Sequence, residues 1–127
     1  MSLLVDTHVF LWFEAGSTVL SRQARARLER ADEAAYVSAA TFWEIAVKRR
    51  LGKLRFEGSA GEAALDSGFL ELAIDAEDAE TAVALDWDHR DPFDRMLVAH
   101  CLNRRLRLVT ADARLRARGD IAVVWAG

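Results

Sequence analysis

Residues 91–125 read DPFDRMLVAHCLNRRLRLVTADARLRARGDIAVVW. Asp91 followed by Pro92 is a helix start: a capping oxygen, then a ring whose missing N–H costs nothing in the first turn. The helix runs from Pro92 to Arg104. Leu106 to Val109 is short, apolar and β-branched at its end, and reads as a buried strand. Ala113 to Arg118 is a short helix stopped by Gly119, and Ile121 to Trp125 is a further strand. Short apolar strands separated by helices mean a parallel sheet, because each helix returns the chain to the end where the previous strand began.

The same alternation extends to the N-terminus. Leu3-Leu4-Val5 is a buried strand ending in Asp6, followed by a helical segment from His8 to Glu14 and a polar helix from Arg22 to Arg30. Ala35-Tyr36-Val37 is a second strand, and Ser38 to Arg50 a long helix stopped near Gly52. Glu62 to Ser67 is a helix closed by Gly68, Phe69 to Ile74 an alternating strand, and Ala76 to Leu85 another helix. The expected architecture is one α/β domain over residues 1–127, a three-layer sandwich with a mainly parallel five-stranded sheet flanked by helices. In such sheets ligands bind at the C-terminal edge.

Composition excludes several function classes. With 127 residues, 52% hydrophobic and 29% charged, there is enough apolar material for a core, so disorder is not the description. Cys101 has no partner for a disulfide, and His8, His89 and His100 are scattered with no CxxC, so a Cys/His zinc cluster is not expected. No stretch approaches the ~20 apolar residues of a membrane span, and Met1 to Val5 lacks the basic start of a signal peptide. A cytoplasmic location is the expectation.

Net charge is −3, too acidic for indiscriminate nucleic-acid binding. The charges are nevertheless segregated. From Glu57 to Asp94 there are twelve acids against the single base Arg90, and from Arg95 to Arg118 seven arginines against the single acid Asp112. Solvated helix faces account for such runs. The functional reading beside it is basic patches next to an acidic site, a layout suited to a polyanion held by a metal.

Strand-to-helix junctions of a parallel sheet share one edge, and the fold is expected to gather four acids toward one pocket there. Asp6 follows the first strand, Glu44 lies in the helix after the second, Asp94 lies in the first turn after Pro92, and Asp112 follows Leu106–Val109. Each has a local explanation. Asp6 and Asp112 can cap helices, Thr41-x-x-Glu44 has capping-box spacing, and Asp94 suits a helix dipole. Taken together they point further. Carboxylates gathered in low dielectric either take up protons or are neutralised by a divalent cation. Oxygen-only ligands favour Mg²⁺ or Mn²⁺, as in phosphodiesterases.

Leu3 to His8, Val37 to Lys48, Asp91 to Ala99 and Val109 to Asp112, in this order and spacing, resemble the PIN-domain ribonucleases. More closely they resemble the VapC-type toxins of bacterial type II toxin–antitoxin pairs. The resemblance implies a Mg²⁺- or Mn²⁺-dependent endoribonuclease cleaving structured RNA such as tRNA or rRNA by a metal-activated water. It implies a homodimer and a small VapB-like antitoxin partner. It makes Asp6 and Asp94 the metal ligands, with Glu44 and Asp112 completing the catalytic acids. Thr7, Ser38 and Thr110 become the hydroxyls that position carboxylates or water, and Asp91 a helix cap. Arg95, Lys48 and Lys53 are candidate RNA phosphate contacts. His8 is read as packing or capping locally.

Other readings fit less well. A phosphotransfer receiver domain needs paired acids after the first strand and a lysine ending the last, and a phosphatase of the Asp-x-Asp type has an acid where His8 stands. No G-x-x-x-x-G-K loop is present. A catalytically silent PIN-like module that only binds a protein partner remains the alternative, and the four filled acidic positions count against it.

Overall fold

The structure, a computed structural model, describes residues 1–127. Five strands form one sheet: β1 (Leu3–Val5), β2 (Ala35–Ser38), β3 (Leu70–Leu72), β4 (Arg107–Thr110) and β5 (Ala122–Trp125). Their order is β3-β2-β1-β4-β5, and every neighbouring pair is parallel. The helices are α1 (Thr7–Ala15), α2 (Arg22–Leu28), α3 (Ala39–Arg50), α4 (Ala60–Asp66), α5 (Ala76–Ala84), α6 (Pro92–Arg104) and α7 (Ala113–Arg116).

The pleat of β1 divides the core. Leu3 and Val5 pack with Val9, Phe10, Val37, Ile45 and Phe69 on one face. Leu4, one residue away, packs with Leu97, Val98, Cys101, Leu108 and Leu115 on the other. Two such apolar layers explain why β1 is apolar at every position rather than alternating. Burial pushes the Cys101 thiol up to about 12, so it sits in the second layer as an inert hydrophobe.

Local chemistry sets the boundaries. Ser38 caps α3 by accepting from the Ala40 N–H at 3.0 Å. Asp75 and Asp78 form a reciprocal capping box at α5. Asp91 accepts from the N–H groups of Phe93 and Asp94 at 2.9 and 3.3 Å, with Pro92 leading α6. Gly16 closes α1 at φ 64°, a conformation that a Cβ would strain.

The strand order places β1 and β4 side by side at the point where the chain reverses its direction of winding. From β1 the strands proceed outward through β2 and β3, and from β4 outward through β5. A crevice opens at the C-terminal ends of such a pair. Asp6 lies at the end of β1 and Asp112 just beyond the end of β4.

Candidate active site

Asp6 occupies the N-cap position of α1, yet its side chain makes no capping bond. Its Oδ2 accepts instead from the Thr110 hydroxyl at 2.6 Å. Thr110 Oγ1 itself accepts from the Asp112 N–H at 3.1 Å, so one hydroxyl at the end of β4 orients both acids. Asp6 is only 4% exposed. Burial pushes its pKa up to about 6. The Thr110 bond opposes that rise, Asp94 and Asp112 add to it by repulsion, and His8 draws it down.

Asp94 stands in the first turn of α6. Burial raises its pKa too, against the pull of His89, while Asp91 and Asp112 push it further up. His89 Nε2 lies 2.7 Å from Asp94 Oδ2. An ionised carboxylate only accepts, so Nε2 carries the proton and donates. Nδ1 is then left as an acceptor, facing Arg114 Nη1 at 3.3 Å. One ligand atom from each of His89, Asp91 and Asp94 lies within 4.8 Å of the others.

Glu44, 4% exposed, accepts from Lys48 Nζ at 2.6 Å one helical turn away. That bond raises the Lys48 pKa, and Asp91 and Asp94 raise it further, so the pair faces the start of α6. Asp112 caps α7 by accepting from the Arg114 N–H at 2.8 Å. A cavity of about 330 Å³ lies over Asp6 and Asp112, lined also by His8, Trp12, Ala111 and Ala113. It adjoins a cleft of about 610 Å³ that shares His8 and Trp12.

These contacts also place the other residues expected at the site. Arg95 adjoins Asp94 in sequence, but all five of its N–H groups are engaged elsewhere. Nε donates to the Ala82 carbonyl, Nη1 to those of Trp87 and His89, and Nη2 to those of Val83 and Leu85, at 2.8 to 3.2 Å. No donor remains for a phosphate. Of the three hydroxyls, Thr110 alone touches a carboxylate of the cluster. Thr7 Oγ1 lies 2.9 Å from Thr41 Oγ1, tying α1 to α3. Ser38 accepts from Ala40 and pairs with buried His100 Nε2 at 2.7 Å. Thr41 sits inside α3, so Thr41 and Glu44 form no capping box. Lys53 is exposed in the turn after α3.

His89 and Arg114 are the residues that sequence reasoning missed. His89 precedes Asp91 by two positions, the one local signal available for it. The contacts of Arg114 exist only because β4 and the start of α6 are brought together in the fold.

The donor set fits a hard divalent cation. Asp6 Oδ1 has no protein donor, and the charges of Asp94 and Asp112 raise the affinity of Asp6 for positive charge, as that of Asp112 does for Asp94. Carboxylate oxygens predominate, with one imidazole beside them.

Comparison with known proteins agrees with this geometry. The PIN domain profile matches residues 3–121. Ribonuclease VapC22 of Mycobacterium tuberculosis is 34% identical over 119 residues, 91% of each chain. Among solved structures, a toxin–antitoxin complex from Klebsiella pneumoniae contains a chain that matches at TM-score 0.68 and 25% identity, covering 97% of this chain and 96% of that one. VapBC2 from Rickettsia felis, solved bound to a DNA fragment from its promoter, matches at TM-score 0.73 over the full length of both chains, and its 10% identity speaks for the fold alone. With the parallel sheet, the acids at its edge and a relative this close, the chain belongs to the PIN-domain family, among the VapC-type ribonucleases.

Proposed function

We propose that this chain is the toxin of a toxin–antitoxin pair and cleaves structured RNA, tRNA or rRNA, as a Mg²⁺- or Mn²⁺-dependent endoribonuclease in the cytoplasm. The observation that carries this reading is Asp6. It sits at a helix N-cap but does not cap. It is buried, held by Thr110, and faces two further acids across the β1/β4 crevice. A buried carboxylate in that position is destabilising unless something cationic arrives.

Asp6 and Asp94 would hold the cation. Bound there, it would neutralise the clustered carboxylates, take a phosphate oxygen and make water a stronger nucleophile at neutral pH. Thr110 fixes the Asp6 carboxylate and the Asp112 backbone at once. Glu44 or Asp112 would accept a proton from water as it attacks the phosphorus in line; the bond from phosphorus to the 3′ oxygen would break, and that oxygen would take a proton from solvent, leaving a 3′-hydroxyl on one product and a 5′-phosphate on the other.

Two surfaces support protein partners. The 610 Å³ cleft offers Leu11, Trp12, Leu54 and Phe56 directly beside the acidic cavity, where a small antitoxin would block access. Trp43 and Val83 are 59% and 82% exposed around an apolar groove of about 220 Å³ that also includes Phe93, and this patch suits a second copy of the chain.

The test is incubation of purified, partner-free protein with total RNA in Mg²⁺ or Mn²⁺, with EDTA and Asp6→Asn controls. Discrete fragments that need both metal and Asp6 are expected. A folded protein inert in both metals would favour the silent binding module instead.

A further inference from the structure

We propose that Arg114 is a backbone-phosphate contact of the RNA site, reaching the phosphate that lies over Asp94 and Asp112. This rests on the nuclease reading and adds a binding position to it. The guanidinium bridges the two sides of the cluster. Nη1 lies 3.3 Å from His89 Nδ1, and His89 in turn holds Asp94 at 2.7 Å. Nη2 lies 3.5 Å from Asp112 Oδ2. A simple counter-ion of Asp112 has no need to reach His89.

Both contacts lie at the outer limit of hydrogen bonding, and the Arg114 side chain is 64% exposed. Leaving them is cheap. At most two of its five N–H groups are occupied, so a planar fork remains that matches two phosphate oxygens. Four other basic groups of this region are engaged, whereas Arg90, next to His89, is exposed. Arg95 is bound to five carbonyls. Lys48 is on Glu44. Arg116 lies over the Trp125 ring, and Arg118 lies over Trp87 and pairs with Asp120.

The experiment compares wild type with Arg114→Ala and Arg114→Lys. Binding of total tRNA is measured in EDTA, where no cleavage occurs, across a salt series. Arg114→Ala should flatten the slope of log K against log[salt] by about one. In Mn²⁺ it should cut RNA at least about ten-fold more slowly, with Arg114→Lys recovering part of the loss. The thermal midpoint should not move, because the side chain is exposed. Unchanged slope and unchanged cleavage would overturn the proposal and leave Arg114 as a counter-ion of Asp112. Faster cleavage by Arg114→Ala would also overturn it, since Arg114 would then be masking the acids. If wild type cuts no RNA but the slope still flattens, the nuclease reading falls and the phosphate position stands.

Discussion

At Asp6 the requirements of stability and of chemistry oppose each other. Its folded pKa is about 6 against an ordinary 3.8, so the folded state binds a proton more tightly than the unfolded chain does. Stability from this group is present at low pH and is lost as pH rises from about 4 to about 6. The loss is up to about 3 kcal/mol at neutral pH. Asn keeps an acceptor for Thr110 and carries no charge. Asp6→Asn should therefore unfold at a higher temperature than metal-free wild type at pH 7.5, with the gap closing toward pH 4. The same variant should cut no RNA. Equal midpoints at pH 7.5 would show that Asp6 carries no such penalty. Divalent cations give a companion result. Mn²⁺ should raise the wild-type midpoint in scanning calorimetry, EDTA should reverse the rise, and Asp6→Asn should respond far less.

The elements were legible wherever a cap or a breaker stood beside an apolar run. Asp91-Pro92 marks the start of α6 and the sequence-based span, Pro92 to Arg104, is the one observed. The ends of short strands were less legible. The alternating run from Phe69 to Ile74 pairs only over Leu70–Leu72, and β4 begins and ends one residue later than its apolar run. The positions of Asp6 and Asp112 at the sheet edge were legible because strand-to-helix junctions in a parallel sheet share one edge. The Arg95 contacts were not, because they go to carbonyls at the C-terminal end of α5 and in the loop after it, whose path no local pattern encodes. That guanidinium gathers the segment from Ala82 to His89 and so delivers His89 to Asp94. Arg95→Lys keeps the charge and loses the fork. Amide exchange should then speed up at residues 85–90 and cleavage should slow about ten-fold or more, while the strands keep their protection. Unaltered exchange in that loop would mean the carbonyl contacts do not hold it.

Across the whole molecule, much of the charge segregation seen in the sequence cancels on folding. Arg104, from the basic run, pairs with Asp75 and Asp78 from the acidic run where α5 packs on α6. Behind them lies a buried chain of contacts that joins the end of β2 to both helices. Ser38 accepts from Ala40, so its own proton is free to go to His100 Nε2, and His100 Nδ1 then faces Asp78 Oδ2 at 3.3 Å. Asn103 also donates to Asp78, at 3.1 Å. Burial by itself would raise the Asp78 pKa. The bonds from Arg104, the Asp75 N–H and Asn103 outweigh it, with help from His100, and leave Asp78 well below the usual carboxylate range. His100 is held below its ordinary 6.5, chiefly by burial and with Arg104 adding to the effect, against the pull of Asp78 and Asp75. Both shifts have the same consequence. The unfolded chain takes up protons that the folded chain resists, so this network contributes stability above about pH 6.5 that is lost stepwise on acidification. Asp6 acts in the opposite sense over about pH 4 to 6, and Asp94 acts in the same direction as Asp6, which opposes the loss in the wild type. Removing Asp6 should expose the slope. Asp6→Asn should lose more stability than wild type as pH falls from about 6 to about 4 in urea titrations, because it lacks the stability that wild type regains as Asp6 takes up its proton. Parallel profiles for the two proteins would mean that the sheet-edge acids and the α5–α6 network do not set the acid limit of this fold.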